Sequence, residues 1–221
     1  MTKSFAHHII RQLEQDYDRI APQFSNTRSQ AWPEFASLKT LIKTNNTELL
    51  DIGCGNGRLA EAIPAVHYIG LDLSSQLLAI AQSRYPQYTF VHGSVLNLPF
   101  SDKQFDIVVC VATLQHVPSN RYRQAALEEM ARVLKLSGYL FMLNWNLADQ
   151  PQYRHYQVGN EYDEGDYLIP WKNDRGKVLA QRYYHGFGIA ELVELAEITK
   201  LKLVKNELGQ SRRNIVTILQ K

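Results

Sequence analysis

Asp51 heads a glycine-rich turn, LLDIGCGNG, in which Gly53, Gly55 and Gly57 fall at every second position. In a dinucleotide-binding turn the third glycine comes three places after the second. Here that place holds Arg58. An acid ahead of the first glycine repels a pyrophosphate and attracts an ammonium group. The turn therefore suits a ligand that carries a cation near the loop and no phosphates. Downstream, Asp72 closes the run YIGLD. A carboxylate at the tip of a second strand can accept both hydroxyls of a ribose. A different chemistry is carried by two segments that combine arginine with aromatic residues: Arg28 near Trp32, and Arg182 with Tyr183, Tyr184 and His185. A guanidinium grips a carboxylate with two parallel bonds, and aromatic rings stack on unpaired bases.

These residues need a frame, and the hydrophobic pattern provides one. Residues 5 to 20 place Ile9, Ile10, Leu13 and Tyr17 at helical spacing, and a second short helix is expected from about Trp32 to Ile42. From Leu49 onward the pattern alternates. Strand ELLDIG leads to helix GRLAEAI, strand HYIGLDL to helix SQLLAIAQSRYP, and strand YTFVHGSV to the turn around LNLPF. FDIVVCVA is a nearly continuous apolar run, as expected of a central parallel strand covered on both faces. Helix RYRQAALEEMARVLK is expected to stop at Ser137-Gly138, and strand GYLFMLNW follows. The last strands, KLVKNEL and NIVTILQ, are joined only by GQSRR, which allows a hairpin and forbids a parallel crossover. The expected fold is α/β: a Rossmann-like sheet, mostly parallel, with an antiparallel terminal hairpin and helices on both faces. Residues 147 to 187 break the rhythm with a polar, aromatic stretch, read as a functional insertion. The organisation expected is one domain over 1–221, with an N-terminal helical segment at 1–45 and a substrate lid at about 147–187.

The composition excludes several classes. The chain has 221 residues, 45% hydrophobic and 21% charged, as in an ordinary globular protein. Its net charge of +2 implies no general affinity for polyanions, so any nucleic-acid contact needs a local basic patch. The two cysteines, Cys54 and Cys110, lack metal-ligand spacing, and no metal site is expected. The N-terminal stretch shows no apolar core of a signal peptide, and no run approaches a membrane span, so a cytoplasmic location is expected.

The motifs together resemble the class I S-adenosylmethionine-dependent methyltransferases. LLDIGCGNG is similar to their glycine motif and GLDLS to their ribose motif. LPFSDKQFDIVVC and LKLSGYLFML are similar to the segments around their fourth and fifth strands. The resemblance implies S-adenosyl-L-methionine as cofactor. Asp51 would face its ammonium group, Gly53, Gly55 and Gly57 would pack against it, and Asp72 with Leu73 would hold the ribose. The adenine would meet Ser94 and Val95, where the family often has an acid.

The flanks narrow the resemblance. YDRIAPQFSNTRSQAWPEF, TLQHVPSNRYR and IPW with RYYHGFGIAELVELA are similar to the tRNA wobble-uridine carboxymethyl methyltransferases, which esterify a carboxymethyl group on the anticodon. This implies tRNA as substrate and a small zinc-ribbon activator protein as partner. It implies a catalytic set of Arg28, His116, Arg182, Tyr184 and His185, with Trp32, Trp145, Trp171 and Tyr183 binding the base. Each has a structural alternative: a tryptophan beside proline can pack a lid, and His116 can cap the helix that starts near Ser119. A small-molecule O- or N-methyltransferase, and a non-catalytic cofactor-binding subunit, stand as the competing readings.

Overall fold

A computed structural model of the protein describes residues 1–27, 32–63 and 66–221. Strands β1 (Glu48–Ile52), β2 (His67–Asp72), β3 (Thr89–His92), β4 (Phe105–Val111), β5 (Leu134–Trp145), β8 (Lys202–Leu208) and β9 (Asn214–Gln220) form one sheet in the order β3-β2-β1-β4-β5-β9-β8. The first five run parallel, while β9 pairs antiparallel with both β5 and β8. The expected terminal hairpin is present, with β9 inserted beside the parallel strands and β8 at the edge.

Alternation along the strands divides the core between two faces. Leu50, Ile52, Val108, Cys110 and Met142 meet α5 (Asn120–Val133) and α6 (Ile189–Ile198). Leu49, Ile107, Val109, Phe141 and Leu143 meet α2 (Phe35–Lys39) and α3 (Arg58–Ala62). Helix α4 (Ser75–Arg84) is capped by the Ser74 hydroxyl, which accepts the Leu77 N–H. With the parallel strands pointing one way, their carboxyl ends open on one side, where such sheets bind ligands.

Three elements differ from the sequence expectation. Helix α1 spans Lys3–Asn26 and continues through Pro22. Proline removes one intrahelical bond, yet burial of Ile20 and Ala21 before it and Ser25 after it holds the last turn. Helix α5 ends at Val133 rather than at Ser137-Gly138, because Leu134 already pairs with Phe105 in the sheet. A register shift then absorbs Lys135 to Gly138, with Ser137 at φ 62°. Third, residues 147–187 form a short 3-10 turn (Pro151–Tyr156) and a separate antiparallel pair, β6 (Asp166–Lys172) and β7 (Val178–His185). One face of this hairpin packs on Leu147 and Trp145, and the other on Ile9 and Leu13 of α1. Helix α1 and the hairpin thus stand together over the open end of the sheet.

Candidate active site

A cleft of about 190 Å³ lies at that open end. Its floor is the glycine turn. Gly53 adopts φ 71°, and a Cβ there would lie 1.9 Å from the Thr113 hydroxyl, so only glycine lets the turn pass under the end of β4. Asp72 accepts the Gly55 N–H and the Ser74 N–H, each at 2.8 Å, which fixes the plane of its carboxylate. Two acceptor oxygens with further lone pairs remain for a ligand. Asp51 is 2% exposed and accepts the Tyr68 hydroxyl at 2.7 Å. Burial raises its pKa to about 7, opposed by the Tyr68 bond and reinforced by the Asp72 charge. Leu73, Ser94 and Val95 line the same end, and the Ser94 hydroxyl accepts the Leu96 N–H at 3.2 Å.

The opposite end has the reverse character. At the end of β4, Ala112 takes φ 52°, a left-handed conformation that non-glycine residues hold only under constraint. It turns the chain into the 3-10 segment Leu114–His116, which aims Gln115 and His116 at the cleft. His116 Nδ1 donates to the Tyr183 carbonyl at 2.7 Å, so its Nε2 accepts the Tyr17 hydroxyl at 3.0 Å. Desolvation pushes the His116 pKa down to about 3 and keeps the ring neutral. Tyr17 is in turn hydrogen-bonded to Arg182. Arg182 is 5% exposed, its guanidinium 4.9 Å from the Trp171 ring and 5.2 Å from the Tyr184 ring. Tyr184 stacks on Trp145 with centroids 5.2 Å apart. Among the described residues Arg182 makes no ion pair, and its Nε is buried without a hydrogen-bond partner.

Comparison with known proteins gives this cleft its chemistry. A profile described as a methyltransferase domain matches residues 50–142. A protein of Encephalitozoon cuniculi named as a methyltransferase is 33% identical over 205 residues, covering 93% of each chain. The chain belongs to the S-adenosylmethionine-dependent methyltransferases. This methyltransferase is also 29% identical over 227 residues to the tRNA (carboxymethyluridine(34)-5-O)-methyltransferase of Schizosaccharomyces pombe, covering 95% of this chain and 96% of that one. With a Bos taurus protein named as tRNA methyltransferase 9B it shares 33% identity over 169 residues, but spans only 35% of that relative's length. The fold matches a solved S-adenosylmethionine-dependent methyltransferase from Methanosarcina mazei at TM-score 0.68, with 24% identity, covering 87% of this chain and 98% of that one. A chain from the complex between the Haloferax volcanii Trm112 methyltransferase activator and a methyltransferase matches at TM-score 0.66, with 15% identity and coverage of 92% and 96%.

The methyltransferase's residues fit its cofactor. Asp51 is a buried carboxylate that accepts the Tyr68 hydroxyl and has a pKa of about 7, so a cation bound beside it would favour the charged form further. Twelve of the residues singled out in the sequence line the one cleft: Asp51, Gly53, Gly55, Asp72, Leu73, Ser94, Val95, Trp32, Trp145, His116, Arg182 and Tyr184. Four described ones do not. Gly57 instead lets α3 approach Tyr85, which a Cβ would meet at 2.9 Å. Tyr183 and His185 lie on the other face of β7, because side chains alternate along a strand. Both bond Asp166, at 2.7 and 2.8 Å, and His185 also reaches Glu191 at 2.8 Å. Expected in the catalytic and base-binding sets, they belong instead to a buried network that ties the hairpin to α6. Trp171 stands behind Arg182, packed on Phe24 at 5.8 Å. Trp32 lies under Arg58, 4.5 Å from its ring. Arg28 lies outside the described residues. His116, expected to be catalytic, lines the cleft with both ring nitrogens hydrogen-bonded, to the Tyr183 carbonyl and to Tyr17. Sequence reasoning missed Tyr17 and Gln115 as cleft residues, although both lie in the family-like runs YDRIAPQFSNTRSQAWPEF and TLQHVPSNRYR; Tyr17 also falls on the inner stripe of α1 and Gln115 just past the β4 end.

Proposed function

We propose that this methyltransferase esterifies a carboxymethyl-type group on the wobble uridine of tRNA. The observation that carries the reading is Arg182, a buried guanidinium in the cleft wall with no carboxylate partner among the described residues. A buried charge is normally paired, so a charge kept unpaired beside a cofactor site calls for an anionic substrate. The resemblance to the Schizosaccharomyces pombe enzyme supports the identity of that anion.

When bound, S-adenosylmethionine supplies an electrophilic sulfonium methyl; Asp51 would face its ammonium and Asp72 its ribose. A carboxylate is ionised at neutral pH, with a reference pKa of about 4, and requires no general base. The work left to the protein is positioning and exclusion of water. Arg182 orients the carboxylate, Tyr17 and neutral His116 fix the guanidinium, and Trp145 with Tyr184 walls the site from solvent. Trp32 and Trp145 are the cleft residues we assign to stacking on the base. Arg28 joins Arg182 as a second cationic candidate on the strength of its sequence context alone. A small activator protein of the zinc-ribbon type is the proposed partner, supported by the fold match to a chain from an activator complex. Both cysteines are free and buried, and no described helix is long and apolar enough to cross a membrane; we assign the protein to the cytoplasm.

The test is mass spectrometry of tRNA nucleosides from cells with and without the gene. Loss of a methyl ester of a carboxymethyl-type uridine is the expected result. An unchanged nucleoside profile would remove the tRNA assignment.

A further inference from the structure

A second orphaned donor faces the same end of the cleft as Arg182. Gln115 is fully buried, and its Oε1 accepts the Trp145 backbone N–H at 2.8 Å. A backbone N–H can donate only to the carbonyl oxygen of an amide, so this bond fixes which way the side chain points. The NH2 group is the half of the amide that this bond leaves unused. Its Nε2 has no hydrogen-bond partner, and Gln115 lines the cleft. Arg182 shows the same state at Nε, on a side chain 95% buried that lines the same cleft. The two flank one ring pair: Gln115 holds the backbone of Trp145, Trp145 stacks on Tyr184, and Tyr184 lies under the Arg182 guanidinium.

Three acceptors at this end are already engaged. The Gln115 oxygen takes the Trp145 N–H, His116 Nε2 takes the Tyr17 hydroxyl, and Tyr17 is bonded to Arg182. Among the described residues the wall thus offers two unsatisfied donors, Gln115 Nε2 and Arg182 Nε. An ionised carboxylate is acceptor-only and can satisfy both. A carboxamide of the same shape brings an N–H2 of its own, which would face donors on both sides and leave buried polar groups unpaired. A site of this kind rejects the wrong isostere far more strongly than a hydrophobic pocket does.

We propose that Gln115 is a specificity-determining residue which, with Arg182, forms a donor pair that admits a carboxymethyl arm on uridine and rejects the carbamoylmethyl arm. This rests on the tRNA carboxyl-methyltransferase reading above. Arg182 supplies the charge and Gln115 the discrimination, because its NH2 cannot accept a hydrogen bond from an amide N–H.

The test compares two anticodon stem-loop RNAs, one carrying 5-carboxymethyluridine and one 5-carbamoylmethyluridine. Binding is measured to the S-adenosylhomocysteine-loaded protein, and methyl transfer to the acid-bearing RNA is followed separately. Wild-type protein is expected to bind the acid at least tenfold more tightly than the amide. Gln115→Glu keeps the acceptor for the Trp145 N–H and replaces the free donor with an acceptor, so it should abolish or reverse that preference. Gln115→Met removes the donor without adding charge and should reduce the preference several-fold while leaving cofactor affinity intact. Wild-type protein that methylates the acid-bearing RNA yet binds both RNAs within twofold would overturn the donor pair and leave the tRNA reading standing. So would two variants that bind cofactor normally and keep the wild-type ratio. Wild-type protein that, with the proposed activator present, transfers no methyl to the acid-bearing RNA would remove both proposals.

Discussion

The two ends of the cleft are built in opposite ways. The end we assign to the cofactor is acidic and local: Asp51, the glycine turn and Asp72 lie within 22 consecutive residues of β1, α3 and β2, and main-chain amides orient Asp72. The end we assign to the substrate carries Arg182 and is assembled from distant pieces: Tyr17 on α1, Gln115 and His116 after β4, Trp145 at the end of β5, and Arg182 and Tyr184 on β7. Its bonds cross long stretches of chain, as between Tyr17 and His116 or between His116 and the Tyr183 carbonyl. The contrast teaches that a cofactor carrying both an ammonium and a ribose can be met by one supersecondary unit. A variable acceptor is met by side chains that insertions bring in, and this is how one fold serves many substrates.

If the two ends act separately, damage to one should leave the other working. Arg182→Ala should produce the largest effect. Truncating one partner of a buried charge pair costs roughly 2–5 kcal/mol, so methyl transfer should fall by about 30-fold or more while calorimetry finds cofactor affinity within about twofold. Arg182→Lys should recover only part of the rate, since an ammonium cannot make the two-pronged contact. Equal losses in transfer and in cofactor binding would merge the two ends into one.

His185 sharpens the comparison from outside the cleft. Burial works against its charge, but the bonds to Asp166 and Glu191 hold its pKa above the ordinary histidine value. His185→Ala should lower stability by roughly 3 kcal/mol, near the low end for breaking a buried ion pair, read as a lower melting temperature. Transfer at a permissive temperature should be retained. Because the folded pKa is raised, the stabilisation from His185 is full below about pH 6.5 and fades as pH climbs through the folded value. A variant as stable as wild type but inactive would return His185 to the chemistry.

The smallest effect belongs to Asp51. Its folded pKa of about 7 lies above the unfolded carboxylate value. It therefore supports the cofactor-free fold at low pH, and this support is lost as pH rises through 7. Between pH 6 and pH 8 the loss should be about 1 kcal/mol. Over the same window cofactor affinity should rise, as the ionised carboxylate meets the ammonium. Thermal melts with and without S-adenosylmethionine measure both trends, and Asp51→Asn should flatten them. A ligand-induced shift that shrinks toward pH 8 would contradict the placement of Asp51.

The sheet was largely legible from the sequence, because alternation and apolar runs report a parallel core directly and GQSRR is too short for anything but a hairpin. The cofactor end was legible for the same reason: its residues are neighbours in the chain. The end of α5 was not, since pairing of Leu134 with Phe105 is a tertiary choice that overrides a good helix-stop signal at Ser137-Gly138. Nor was the division of the RYYH run. Without knowing that 178–185 is a strand, nothing separates Arg182 and Tyr184, which face the cleft, from Tyr183 and His185, which face Asp166. Gln115 lies in the family-like run TLQHVPSNRYR but was not singled out there, and the role proposed for it depends on an unpartnered amide that only three-dimensional packing reveals.

The central claim is that the cationic end presents a carboxylate to the methyl group. The most direct measurement uses S-adenosylmethionine labelled in its methyl group, purified protein with the proposed activator, and tRNA bearing a carboxymethyl-type wobble uridine. The product is then treated with mild alkali, which hydrolyses esters and spares methyl groups on ring nitrogen or ribose oxygen. The account predicts label on the wobble nucleoside that alkali releases as methanol. Label that survives alkali, or that resides on another nucleoside, would contradict it.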